Sequence, residues 1–186
     1  MYEIERSGGV VLEVAILVRV ILSQEADQED PLAELEGLAR TAGTQVVSGI
    51  VQRRNKPNLA TFLGKGKLEE LRLLAESHDA DLVIFDNDLS PAQTRNLEQA
   101  LKLKVLDRTE LILDIFASHA RTRESRLAVE LAQLEYSLPR LKHLWTHLSR
   151  MKMGVGMRGP GEKQLETDRR LVEKRIVDLR RELKVI

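Results

Sequence analysis

This sequence predicts an α/β protein: a small, mostly parallel four-stranded sheet with helices, followed by a long antiparallel two-helix coiled-coil hairpin. Three observations carry that prediction. From Val10 to Ala120 short apolar runs alternate with amphipathic segments, the pattern of strands and helices layered on a parallel sheet. Beyond Ala120 a leucine-rich seam at heptad spacing occurs twice. Between the two seams lies a basic, glycine-rich stretch, Lys152 to Lys163.

Four strands are expected, Leu12 to Ile21, Gln45 to Gln52, Leu82 to Phe85 and Leu103 to Leu106, each rich in Val, Ile and Leu as strands covered on both faces must be. The first helix follows Asp30-Pro31, read as an N-cap and a proline at the first helical position. It puts Leu32, Leu35, Leu38 and Ala39 on one face and ends at Gly43. A second runs from about Lys67 to His78. A third opens with Ser90-Pro91-Ala92-Gln93, where Ser and Gln stand at capping-box spacing. A fourth opens with Asp107-Arg108-Thr109-Glu110 and carries Leu111 and Ile115 towards Ala120. The polar stretch His119 to Ser125 divides a subdomain of residues 1–120 from one of residues 121–186.

In the second part Leu127, Leu131, Leu134, Leu138, Leu141, Trp145 and Leu148 form an unbroken heptad seam, with Pro139 inside it expected to kink the helix. The seam resumes at Leu165 and continues through Val172, Ile176, Leu179, Leu183 and Ile186. Each arm is roughly 40 Å long at 1.5 Å per residue, so folding back at the glycines buries seam against seam. Stopping on a seam position with no C-cap, the chain's end resembles an internal cut in a longer polypeptide.

Composition narrows the function classes. No cysteine is present, so disulfides and thiolate chemistry are excluded, which suits the cytoplasm. The most apolar run, Val10 to Leu22, is interrupted by Glu13 and Arg19 and falls short of the ~20 residues a membrane span needs. Net charge is zero, but residues 139–186 hold 13 Lys and Arg against 6 Asp and Glu, and residues 1–138 hold 16 against 23. A positive second half fits either a polyanionic partner or a solvated helix pair.

Gly154, Gly156 and Gly159 satisfy G-x-G-x-x-G, yet they join two helices, whereas a dinucleotide site joins a strand to a helix. Four glycines in eight positions, Gly154 to Gly161, exceed what a hairpin turn needs and imply close approach to the backbone. Arg150, Lys152, Arg158, Lys163, Arg169 and Arg170 make that end cationic, and Pro160-Gly161-Glu162 starts a helix with its positive pole there. Met153, Val155 and Met157 supply apolar surface, but no aromatic gives a stacking platform. Gly64-Lys65-Gly66-Lys67 resembles a P-loop superficially. Leu68 stands where the magnesium-holding hydroxyl belongs, leaving phosphate binding and a plain turn as the readings there. Asp86-Asn87-Asp88 could hold a hard cation but fits Asx turns better. His78 and His119 follow helices, and His143 and His147 lack the Glu of H-E-x-x-H, so no metal motif exists. Nothing pairs a base with a nucleophile, and no catalytic residue is assigned.

Gly154-Val155-Gly156-Met157-Arg158-Gly159-Pro160-Gly161-Glu162 with Leu165-Glu166-Thr167-Asp168-Arg169-Arg170 resembles the HflX family of ribosome-associated GTPases. The resemblance extends to Asp107 through Phe116, to Leu131 through Tyr136, and to Leu89-Ser90-Pro91 with Arg95-Asn96-Leu97-Glu98. It implies an amino-terminal region that binds the large ribosomal subunit, helping to split or rescue stalled ribosomes or to assemble new ones, with a GTPase domain following in cis. That domain, not included here, would take GTP and Mg2+. By the resemblance Gly154, Gly156, Arg158, Gly159 and Gly161 contact rRNA near the peptidyl transferase centre, and Arg150, Lys152, Lys163, Arg169 and Arg170 neutralise phosphates. ATP at Gly64 to Lys67 with turnover by an α/β part that acts on RNA, or a structural dimerising coiled coil, are the alternatives.

Overall fold

The structure, a computed structural model, describes residues 12–25, 29–150 and 160–185, side chains of residues 141–150 and 160–168 excepted. Its four strands are β1 (Val14–Leu22), β2 (Gln45–Arg54), β3 (Leu82–Phe85) and β4 (Lys104–Asp107). They form one parallel sheet in the order β2-β1-β3-β4. Because strand side chains alternate between faces, one face carries Ile16, Val18, Val20, Ile50, Val83 and Phe85 and the other Ala15, Leu17, Leu82, Ile84 and Leu106. Both faces are buried, which explains why β3 reads as Leu-Val-Ile-Phe without a polar residue.

The helices α1 (Ala33–Thr41), α2 (Lys65–Ser77), α3 (Pro91–Leu101) and α4 (Arg108–His119) cover the sheet in pairs. Leu71 and Ala75 of α2 pack with Leu97 and Leu101 of α3 on the first face. Leu35 and Ala39 of α1 pack with Leu111 of α4 on the second. Each fully buried leucine here contributes about 1.5–3 kcal/mol.

Local signals set the boundaries, sometimes differently from expectation. Ser90 accepts from the Gln93 N–H at 3.2 Å while Gln93 accepts from the Ser90 N–H at 2.9 Å, closing the expected capping box of α3. Asp107 caps α4 by accepting from the Glu110 N–H at 2.9 Å. The first helix starts later than expected. Asp30 accepts from the Leu32 N–H at 3.1 Å, a turn that delays the helix until Ala33, and it ends at Thr41, with Gly43 past the end at φ 84. α2 starts earlier, because glycine and lysine at its first positions keep helical geometry, so Lys65, Gly66 and Lys67 lie inside it. β1 and β4 are shifted by a residue or two, and β2 extends to Arg54.

The long helices are α5 (Arg123–Arg150) and α6 (Pro160–Val185). Thr122 and Ser125 cap α5 reciprocally, at 3.0 and 3.1 Å. α5 runs as one helix through Pro139, whose ring is exposed. Arg123 pairs with Glu182, Arg175 with Glu130 at 2.7 Å and Arg180 with Glu135 at 2.6 Å. α6 thus packs along the first half of α5. Leu127, Ile176 and Leu179 are the buried seam residues of this stretch.

Candidate functional site

The basic glycine-rich end is only partly within the described residues. Lys152, Gly154, Gly156, Arg158 and Gly159 lie outside them, as do the side chains of Arg150 and Lys163, whereas Gly161 and Lys163 fall in the helical backbone of α6. The Pro160 start of α6 agrees with a proline at the first helical turn. Arg169 is half-buried, with a long contact to Glu173 at 3.5 Å, and Arg170 is exposed. His143 and His147 stand in α5 with side chains outside the described set.

At the other candidate, Gly64 is the N-cap of α2 and donates its N–H to Gln52 Oε1 at 3.0 Å. A Cβ at this position would meet Arg54 Nη1 at 2.5 Å, so glycine lets that guanidinium lie against the backbone. Lys67 is turned along the helix to Glu70 at 2.8 Å. Lys65 and Gly66 are exposed. With Leu68 in place of a hydroxyl residue, this turn does not fit a magnesium nucleotide.

The strand order reverses between β1 and β3, where doubly wound sheets open a ligand crevice beyond their carboxyl ends. Here the chain's own side chains fill it. Asn87 accepts from the Val20 N–H at 2.7 Å and donates to the Val20 carbonyl at 2.9 Å. Asp86, nearly buried, joins Arg19 at 3.3 Å and Arg108 at 2.7 Å, and Arg108 reaches on to Glu34. The Arg108 hydrogen bond and charge hold the Glu34 carboxyl below the usual range. Asp88 accepts from Thr109 Oγ1 at 2.9 Å. The acidic triplet is therefore structural, and among the described residues no three His, Cys, Asp or Glu are grouped to hold a metal. His78 stands at the end of α2, and His119 Nδ1 lies 2.8 Å from the Ile115 carbonyl.

One cluster was not foreseen from sequence. Asp107, at the end of β4 with its carboxylate fully buried, accepts from Leu89 N–H at 3.2 Å, from Arg140 Nη2 at 2.8 Å and from Tyr136 Oη. The Arg140 guanidinium stacks 4.1 Å from the Tyr136 ring centre. Burial, with the Asp107 hydrogen bond, pushes the Tyr136 phenol far up. Burial likewise raises the Glu110 carboxyl beside it, against Arg140 and with Asp107 and Asp114. Two small clefts, about 140 and 190 Å³, flank Arg140 and Glu110. The cluster fastens the middle of α5 to the edge of the sheet. Its sequence signal was slight: Tyr136 and Arg140 at i, i+4, away from the leucine seam.

Comparison with known proteins fits this architecture. The family model for the GTP-binding GTPase N-terminal region matches residues 29–117, and that for the GTP-binding GTPase Middle Region matches residues 119–186. GTPase HflX of Flavobacterium psychrophilum is 46% identical over 176 residues, covering 94% of this chain and 43% of that protein. GTPase HflX of Escherichia coli strain K12 is 49% identical over 171 residues, 92% of this chain and 40% of that protein. Among solved structures, SsGBP with GDP superposes with a TM-score of 0.66 at 24% identity, covering 94% of this chain and 44% of that one. At that identity the likeness speaks for the fold alone. The class is thus the amino-terminal and middle regions of a GTP-binding GTPase. The chain belongs to the HflX family, and it spans about two-fifths of the length of the curated relatives it matches. No described helix is long and apolar enough to cross a membrane.

Proposed function

We propose that this chain is the ribosome-docking region of an HflX-like GTPase, reaching rRNA of the large subunit with the glycine-rich end of an α5–α6 coiled-coil hairpin. The observation that carries the reading is the packing of α6 along the first half of α5, with the ion pairs Arg123–Glu182 and Arg175–Glu130 between them. In this reading the two helices run antiparallel, with the end of α5 and the start of α6 at one pole, joined by the most glycine-rich and cationic part of the sequence. A slender positive pole suits a crevice walled by phosphates, since each neutralised phosphate releases counterions.

In this reading Gly154, Gly156, Gly159 and Gly161 let RNA approach the backbone, and Arg150, Lys152, Arg158, Lys163, Arg169 and Arg170 neutralise phosphates. The division at about residue 120 separates a scaffold from a probe. The chain itself does no catalysis. A GTPase domain in cis, taking GTP and Mg2+, would regulate docking, in the cytoplasm, during rescue or splitting of stalled ribosomes or during assembly.

The test is co-sedimentation with purified large subunits over a salt series. Binding should weaken steeply with salt and fall by about tenfold in Arg158→Ala, in line with one lost charge-assisted contact worth about 1–3 kcal/mol. Salt-independent binding that ignores the substitution would sink the reading.

A further inference from the structure

We propose that the loop between β2 and α2 is a second polyanion-binding surface, one that takes a single-stranded RNA segment on the α/β part of the chain, independently of the hairpin end. From Arg53 to Leu68 the sequence carries five cations and no acid. The loop is ordered by its own hydrogen bonds. Asn58 Oδ1 accepts from the Ala60 and Thr61 N–H groups at 2.8 and 3.1 Å, and the Asn58 and Phe62 backbones bond to each other. Gln93 and Asn96 of α3 donate to the Asn58 and Ala60 carbonyls at 3.0 and 2.9 Å.

What this pinned loop displays is unusual for a structural turn. Leu59 at its apex is 92% exposed, so the ordering does not serve to bury it. Arg54 donates to the Lys56 carbonyl at 3.0 Å and lies against Gly64, which carries its charge to the start of α2. Lys56 and Lys65 are exposed, and among the described residues no carboxylate pairs with either. The nearby acids of α2 are engaged elsewhere: Glu70 by Lys67, Glu69 and Glu76 by Arg72. The first turn of α2 holds no acid, although acids are favoured at that pole of a helix and cations are not. A local rule broken without compensation inside the protein is the mark of a site whose compensation comes from a partner.

Extended phosphodiester fits best. Two or three separated cations match successive phosphates, and a lone exposed leucine beside them can lie on a base or ribose. A protein partner would need more apolar area than one side chain offers. The choice of RNA among polyanions rests on the function proposed above.

The experiment measures binding of the whole chain to a fluorescent poly(U) of about 20 nucleotides over a salt series, for wild type, Lys56→Glu/Lys65→Glu, and Arg158→Ala. The lysine pair should bind at least about tenfold more weakly, with a log–log salt slope shallower by about 1.4, the value for two lost contacts on a single strand. Lys56→Gln/Lys65→Gln should give an intermediate loss, and an unchanged urea midpoint shows that both folds are intact. The proposal is overturned if wild type does not bind the RNA, if the lysine pair binds like wild type, or if millimolar phosphate at constant ionic strength displaces the RNA. It is likewise overturned if the lysine pair instead loses binding to RNA-free ribosomal protein. Arg158→Ala, assayed on large subunits, decides the hairpin reading separately, so either can fail alone.

Discussion

The sheet with its four helices and the α5–α6 pair are stabilised by different means. The sheet buries apolar residues on two faces, with nine side chains of β1 and β3 at 1% exposure or less: Ala15, Ile16, Leu17, Val18, Val20, Leu82, Val83, Ile84 and Phe85. The described part of the helix pair has a single seam and supplements it with exposed ion pairs, which contribute little in water. The first is suited to hold a shape, the second to present charge. The difference also makes Asp107 critical, because it belongs to both.

The largest expected effect is at that junction. Asp107→Ala strands the Arg140 charge among buried neighbours and removes the α4 cap, so a loss of about 3–5 kcal/mol is expected in urea unfolding by circular dichroism. Wild type is expected to unfold in a single transition and the variant in two, as the helix pair melts apart from the sheet. One cooperative transition at the original midpoint would remove the idea that this carboxylate couples them. Leu179→Ala comes next. Leu179 is fully buried, and a loss of about 2–5 kcal/mol would make the α6 seam a core in its own right. A loss below about 1 kcal/mol would mean that the pair depends on surface charge after all.

The smallest effect is a pH dependence. Burial raises the Glu110 carboxyl in the folded chain, so between the unfolded and folded values the native state holds the proton more tightly. Stability from this group is therefore present at low pH and falls as pH rises through that window, reaching a constant deficit near neutrality. Glu110→Gln should flatten that slope and leave the chain slightly more stable at neutral pH. Midpoints that decline as steeply in the variant as in wild type would assign the slope to other groups.

Much of this was legible in the sequence because it depends on neighbours in the chain. The Ser90–Gln93 box, the Asp107 cap and the apolar run Leu82 to Phe85 are set within a few residues, and the structure has them where expected. The first helix was placed too early because Asp30 makes a turn to Leu32 instead of capping, and these two uses of an aspartate look alike in sequence. Lys65 to Lys67 looked like a turn because glycine is a poor helix residue, yet a first helical turn tolerates it. The clasp at Asp107 left only the slight trace of Tyr136 and Arg140 at i, i+4 in the sequence. Its partners stand 29 and 33 residues away, and only the packing of α5 across the sheet edge brings them together.

That clasp also has a mechanical meaning. α5 is gripped at Tyr136 and Arg140, near its middle, and ten residues, roughly 15 Å of helix, extend past Arg140 to Arg150. The grip is a fulcrum. A tilt of roughly 10° about it would swing Arg150 sideways by about 2.6 Å, most of a hydrogen bond's length, and would move the Arg123 end the opposite way. The three side chains at the sheet's edge thus help to set the direction that α5 takes beyond them.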